Sequence, residues 1–144
     1  MNVIQVASVF MTDRRGTKTY LSLRADTSDT YPTCWQDAGG KSNPGEAALD
    51  TAVRELWEET GLRVKPSRLQ FISVSDHINA RGEPYQVLTF RLKLRFWQRP
   101  KHKEPKKNGP WIPFSLKPGI IETLETVPSL KPVLETLRKT IQQG

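Results

Sequence analysis

The stretch GKSNPGEAALDTAVRELWEETGL, Gly40 to Leu62, decides how the rest of the chain is read. Ser42 or Asn43 can cap a helix, Pro44 suits its first position, and Gly61 followed by Pro66 supplies a stop. On a helix advancing about 100° per residue, Leu49, Val53 and Leu56 fall along one stripe, while Glu55, Glu58 and Glu59 gather on a different face. Like charges at that spacing cost a helix some tenths of a kcal/mol each, and only Arg54 stands beside them. A solvated acidic face is one reading of the acids taken alone. A hard divalent cation is the other, because Mg²⁺ takes carboxylate oxygens, keeps several waters and bridges to substrate phosphates.

Working outward, NVIQVASVFM and KTYLSLRA read as two strands joined across TDRRGT, and DTSDTYPTCWQDAGGKSNPG, Asp26 to Gly45, reads as a long irregular connection of a length more often functional than idle. Beyond the helix, LQFISVS reads as a strand and YQVLTFRLKLRFW as a long one, with Tyr85, Val87, Thr89, Arg91, Lys93 and Arg95 on one face. WIPFSL is a short strand or an extended turn, and SLKPVLETLRKTIQQ is a closing amphipathic helix with Leu130, Val133, Leu134 and Leu137 inward. These elements predict an α+β class, a mixed sheet between helices, in one domain over residues 1–144.

The formal charge of +7 favours anionic partners without choosing among nucleotides, nucleic acid and phosphorylated protein. Much of the excess sits in RFWQRPKHKEPKKNG, Arg95 to Gly109, read as a strand end and a solvated loop. The single cysteine, Cys34, has no internal disulfide partner and reads as a buried structural thiol; His77 and His102 offer no zinc spacing. No apolar run is long enough to span a bilayer and the start does not read as a signal peptide, so no membrane partner and a cytoplasmic protein are expected.

The order Gly40, five residues, Glu46, seven residues, then Arg54, Glu55, Leu56, Trp57, Glu58, Glu59, Thr60, Gly61, Leu62 matches every fixed position of the Nudix box. The chain thereby resembles the Nudix hydrolase family, and the flanking strands and closing helix agree with that family's α/β/α sandwich. The resemblance implies Glu55, Glu58 and Glu59 as metal ligands and base candidates, Glu59 and Glu55 foremost for metal. It gives Gly40 a backbone carbonyl toward the metal, Arg54 the task of orienting a neighbouring carboxylate, and Glu46 a supporting task holding loop and helix together. The implied cofactor is Mg²⁺, or Mn²⁺ in its place.

The same resemblance puts Arg24 where relatives hold phosphate, Gln36 where an amide reads a base edge, and Trp111 where a ring flanks a base. Arg24 as a surface residue and Trp111 as a core plug are the plainer readings. The sequence departs from the family's habits at AGG before the box, at Asp37 in a position often apolar, and at Glu104 as the only acid near the tail tryptophan. The expected reaction is a metal-dependent cleavage of a nucleoside or deoxynucleoside triphosphate to monophosphate and pyrophosphate. Removal of a 5′ diphosphate or cap from RNA is the alternative, motivated by Arg91, Lys93, Arg95 and the loop Lys101 to Lys107. A catalytically silent nucleotide sensor or partner-binding module is the reading from another class, opposed by the intact acids; oligomeric state is open.

Overall fold

The structure, a computed structural model, describes residues 3–144. Asn2, where the first strand was expected to begin, lies outside the described residues. Strand β1 (Ile4–Thr12) is the spine of the sheet, buried on both faces along most of its length. It runs parallel to β6 (Pro84–Lys93) from Ile4 opposite Tyr85 to Thr12 opposite Lys93. Its other edge is shared: β4 (Ala38–Lys41) pairs antiparallel with Val6 to Val9, and β2 (Lys18–Leu23) joins at Thr12. Strand β5 (Leu69–Ile78) pairs antiparallel with β6 outside it. Strands β3 (Trp35–Gln36) and β7 (Ile112–Ser115) pair with β2, completing a seven-stranded mixed sheet.

Each face of the sheet carries one helix. Helix α1 (Ala48–Thr60) lays Ala52 and Leu56 on Ala7, Val9 and Met11, with Leu49 and Val53 partly buried against the same cluster. Helix α2 (Leu134–Gln143) closes the other face, where Leu134 and Leu137 meet Phe10, Leu21 and Ile121, with Leu130 and Val133 just before the helix. A mixed sheet between helices is the α/β/α sandwich expected. Among the described residues no helix is long and apolar enough to cross a membrane.

Several expectations change, beginning with the run from Asp26 to Gly45, which is not irregular throughout but holds β3 and β4. The helix starts four residues late, at Ala48 after an Ala47 cap, because Gly45 at φ 77° turns the chain and the Glu46 amide bonds back to Asn43 O at 2.9 Å. Strand β6 ends at Lys93, and the face expected to be basic is largely covered: Val87, Thr89 and Arg91 are buried, Arg91 where Gly16 and Ile141 of α2 come together, and only Lys93 at the strand end stays exposed. Arg91 is 8% exposed and donates from Nε to Thr12 Oγ1 at 2.8 Å. Cys34 is half-buried rather than buried.

Candidate active site

The site is built where α1 lies over β4. Gly39 has φ 150°, and a Cβ there would run into the Ala7 carbonyl, so only glycine lets β4 approach β1 this closely. Its amide donates to Glu59 Oε1 at 2.7 Å. A Cβ on Gly40 would lie 2.5 Å from Glu55 Oε1. The two glycines are thus the bare floor on which the acidic face of the helix rests. Gly61, at φ 71°, ends the helix as a left-handed cap whose amide bonds Trp57 O at 3.0 Å.

Arg54 organises the acids. Its guanidinium grips Glu46 with two bonds, Nε to Oε2 at 3.0 Å and Nη2 to Oε1 at 2.9 Å, and reaches the Lys41 carbonyl at 3.0 Å. Its Nη1 lies 3.0 Å from Glu55 Oε1 and 3.3 Å from Glu58 Oε2. Glu46 also accepts from the Asn43 amide at 3.0 Å and Thr51 Oγ1 at 2.8 Å, joining the loop to the helix. The Arg54 guanidinium, with those two donors, holds the Glu46 carboxyl down to about 2.

The other acids are pushed the opposite way. Burial raises Glu55, and the nearby Glu58 adds to this while Arg54 pulls back. Glu59 is 7% exposed, and burial holds it well above the ordinary carboxylate range; the Gly39 amide opposes the shift, and Glu55, Glu104 and Asp37 reinforce it. Among the described residues no cation pairs with Glu59. Two crowded carboxylates are donors that suit a hard divalent ion, which would relieve both the burial and the repulsion. The acids are not drawn together into a ready three-ligand cluster among the described residues. Glu58 stands outside the cavity, nearly half exposed and tied to Arg54.

A cavity of about 810 Å³ opens over this floor, lined by Gly39, Gly40, Lys41, Glu55 and Glu59 and walled by the loops after β2, β5 and β6. Arg24 and Gln36 both line it, but they face each other: Arg24 Nη1 donates to Gln36 Oε1 at 2.7 Å. The remaining Arg24 bonds go to Thr30 O at 2.9 Å, Ser28 Oγ at 2.7 Å and Thr30 Oγ1 at 2.9 Å, shaping the loop that holds Tyr31 at φ 47° and Thr33 at φ 57°. Trp111 is a correction. It is 7% exposed within the α1 core cluster and donates from its indole nitrogen to Glu59 O at 3.3 Å, so neither ring face is open to a base.

Sequence reasoning took Lys106 and Lys107 only as part of a basic, solvated loop open to RNA and did not place them at the acids, yet both line the cavity. Lys107 pairs with Glu104 at 3.1 Å, and Glu55 and Glu59 are among the carboxylates that raise its pKa. The charge run itself was the signal; what hid it is that the loop folds back, with the Lys101 amide bonding Thr60 O at 2.9 Å and the Asn108 amide group bonding Ser22 Oγ at 2.6 Å.

Known proteins resemble this chain in sequence and in fold. The family model for the NUDIX domain matches residues 3–129. The chain is 36% identical over 52 residues to the m7GpppN-mRNA hydrolase NUDT17 of Bos taurus, a match covering 36% of this chain and 17% of that one. It is 59% identical over 29 residues to nucleoside diphosphate-linked moiety X motif 6 of Mus musculus, covering 20% and 9%. The matched part is thus under a fifth of the length of these curated relatives. Among solved structures, the MutT protein of Methanosarcina mazei superposes with a TM-score of 0.78 at 18% identity, over 96% of this chain and 94% of that one. A C. elegans Ap4A hydrolase superposes at 0.77 with 17% identity, over 99% and 100%, and at such identities the likeness is one of fold. Nudix hydrolases generally use divalent metal ions. With a family model spanning residues 3–129 and every fixed position of the box in place, this chain belongs to the Nudix hydrolase family.

Proposed function

We propose that the cavity hydrolyses the diphosphate linkage of a nucleoside or deoxynucleoside triphosphate, releasing the monophosphate and pyrophosphate. The observation that carries this reading is the Glu55 and Glu59 pair set on Gly39 and Gly40, in a cavity also lined by Lys41, Lys106 and Lys107. Carboxylates of raised pKa supply proton acceptors, and the lysines supply charge for the phosphates.

Glu55, Glu59 and the Gly40 carbonyl would hold Mg²⁺ or Mn²⁺, which when bound lowers the pKa of a water and neutralises phosphoryl oxygens. Attack by water on phosphorus forms one P–O bond and breaks the bond to the leaving pyrophosphate, with the proton taken by a box glutamate. Arg54 keeps the Glu55 carboxylate turned toward the cavity through the 3.0 Å contact, and Glu46 anchors Arg54 in turn. Lys106 and Lys107 balance charge on the departing group.

A second reading keeps the chemistry and changes the substrate to the 5′ end of RNA. The relatives named as mRNA hydrolases favour it, sharing a segment with this chain. Burial of Arg91 removes part of its original motive. The deciding experiment measures pyrophosphate against orthophosphate released from nucleoside triphosphates, ADP-ribose, dinucleoside polyphosphates and capped RNA, with Mg²⁺ and with EDTA. Metal-dependent pyrophosphate from a triphosphate is the expected result. Turnover of capped RNA alone would transfer the assignment to the second reading, and silence across the panel would leave a nucleotide-binding module.

A further inference from the structure

A second concavity lies at the far end of the central strands. The catalytic cavity sits where β4 meets Val6 and Ala7 and where the β5–β6 turn closes. The second cleft, of about 320 Å³, sits where β1 ends in the turn at Asp13 and where β6 gives way to Leu94 to Arg99. The stretch of β1 from Val6 to Thr12 separates them, about 20 Å at the rise of an extended strand.

The cleft is lined by five cations, Arg14, Arg15, Lys18, Arg95 and Arg99, with Tyr20 on its wall. All five are exposed, and none forms an ion pair among the described residues. Asp13 is the one acid on the lining, and its carboxylate is occupied by the Thr17 amide at 2.7 Å, the Thr17 hydroxyl at 2.5 Å and the Lys18 amide at 3.0 Å. Phe96, which also lines the cleft, is 71% exposed, and its neighbour Trp97 is 61% exposed. Their rings meet edge to face at 5.0 Å, and the Arg95 guanidinium stands 5.4 Å over the Trp97 ring. Two large aromatic rings kept in water beside unneutralised cations oppose both burial and charge pairing.

We infer that this cleft is a docking site for single-stranded nucleic acid, separate from the catalytic cavity, with phosphates along Arg14, Arg15, Lys18, Arg95 and Arg99 and a base stacked on Phe96 or Trp97. Single strands present both an anionic backbone and unstacked planar faces, which is what this mixture of groups can satisfy together. A duplex hides its base faces. A second copy of the chain would bring two sets of five cations against each other, and a flat anionic bilayer meets the rim of a concave cleft but not its walls. The inference stands whichever diphosphate the cavity cleaves.

The test is fluorescence anisotropy of the full chain with a labelled oligouridine at several salt concentrations. The variants are Phe96→Ala/Trp97→Ala, Arg95→Gln/Arg99→Gln and, in the other cavity, Glu59→Gln; circular dichroism checks that each is folded. Expected is binding whose logarithm falls with log salt at a slope of about −2 to −3, as for three or four phosphates neutralised. The aromatic double variant weakens it about tenfold or more at unchanged slope, the arginine double variant flattens the slope by about 1.4, and Glu59→Gln leaves it alone. No binding, or binding indifferent to both double variants, overturns the inference. So does binding to phosphatidylserine vesicles in place of the oligonucleotide, or an aromatic variant that turns a dimer into a monomer. Because Glu59→Gln reports on the catalytic cavity alone, loss of turnover and loss of strand binding are read separately.

Discussion

At the scale of single residues, the site depends on what is missing as much as on what is present. Gly40 leaves the space that the Glu55 carboxylate fills, and a methyl group there would lie 2.6 Å from Glu55 Cδ. Gly40→Ala is therefore expected to fold normally, with the Glu55 carboxyl swung away, and to lose about tenfold to a thousandfold in turnover. Wild-type kcat from the Ala variant would show that Glu55 is free to move without consequence. Glu59→Gln removes a charged donor at nearly constant volume, so turnover falls by orders of magnitude while the fold is kept; near-normal turnover would remove Glu59 from the metal assignment. Asp37 carries a different prediction. It is 8% exposed, and burial raises its pKa from 3.8 to about 7 against the pull of the Ser8 hydroxyl. Between those two values the folded chain holds a proton that the unfolded chain has released, so this group makes stability fall as pH rises through the window. Asp37→Asn should raise stability by about 1 to 4 kcal/mol at about pH 8, with the gain vanishing toward about pH 4. Urea titrations of both proteins at the two pH values check this, and a gain independent of pH would contradict it.

At the scale of elements, α1 and α2 do different work on the two faces of one sheet. Helix α1 is committed to the site by Arg54 and by Trp111 beneath Glu59, so its packing and its chemistry cannot be varied separately. Helix α2 holds the opposite face through Leu134 and Leu137 and through Arg138, which bonds Leu116 O, Glu122 and Glu135, each at 2.7 Å. Leu137 has no exposed surface, so Leu137→Ala should cost about 2 to 5 kcal/mol in denaturant unfolding. Its kcat below the unfolding transition should stay within about twofold of wild type, because α2 supplies nothing to the cavity lining. A large loss of kcat in folded protein would show that the two faces are coupled through the sheet.

At the scale of the whole molecule, the crowded carboxylates make metal binding a stability question as well as a catalytic one. The folded chain places Glu55 and Glu59 together and the unfolded chain does not, so a divalent ion stabilises the fold by mass action, about 2.7 kcal/mol at a hundred times its Kd. Added Mg²⁺ should raise the Tm of EDTA-treated protein, and the rise should shrink or disappear in Glu59→Gln. An unchanged Tm at saturating Mg²⁺ in wild type would oppose binding at these residues.

The box and its acids, the faces of α1, the strand β1 and the inward stripe of α2 were legible in the sequence, because each follows from residues near one another along the chain whose spacing matches a helix or strand period. Burial of Arg91 was not, since alternation places its side chain on a face but only the packing of the turn at Gly16 and of Ile141 in α2 says that the face is covered there. The same holds for Trp111, which β7 brings under the last turn of α1, and for the late start of that helix, set by the turn at Gly45 that returns the Glu46 amide to Asn43 O. Tertiary structure alone decided that Lys106 and Lys107 share a cavity with Glu55 and Glu59, and that Arg24 and Gln36, which the resemblance put at the site, bond to each other there. Local periodicity fixes which way a side chain leaves its own backbone, whereas what it meets there is settled by segments distant in sequence.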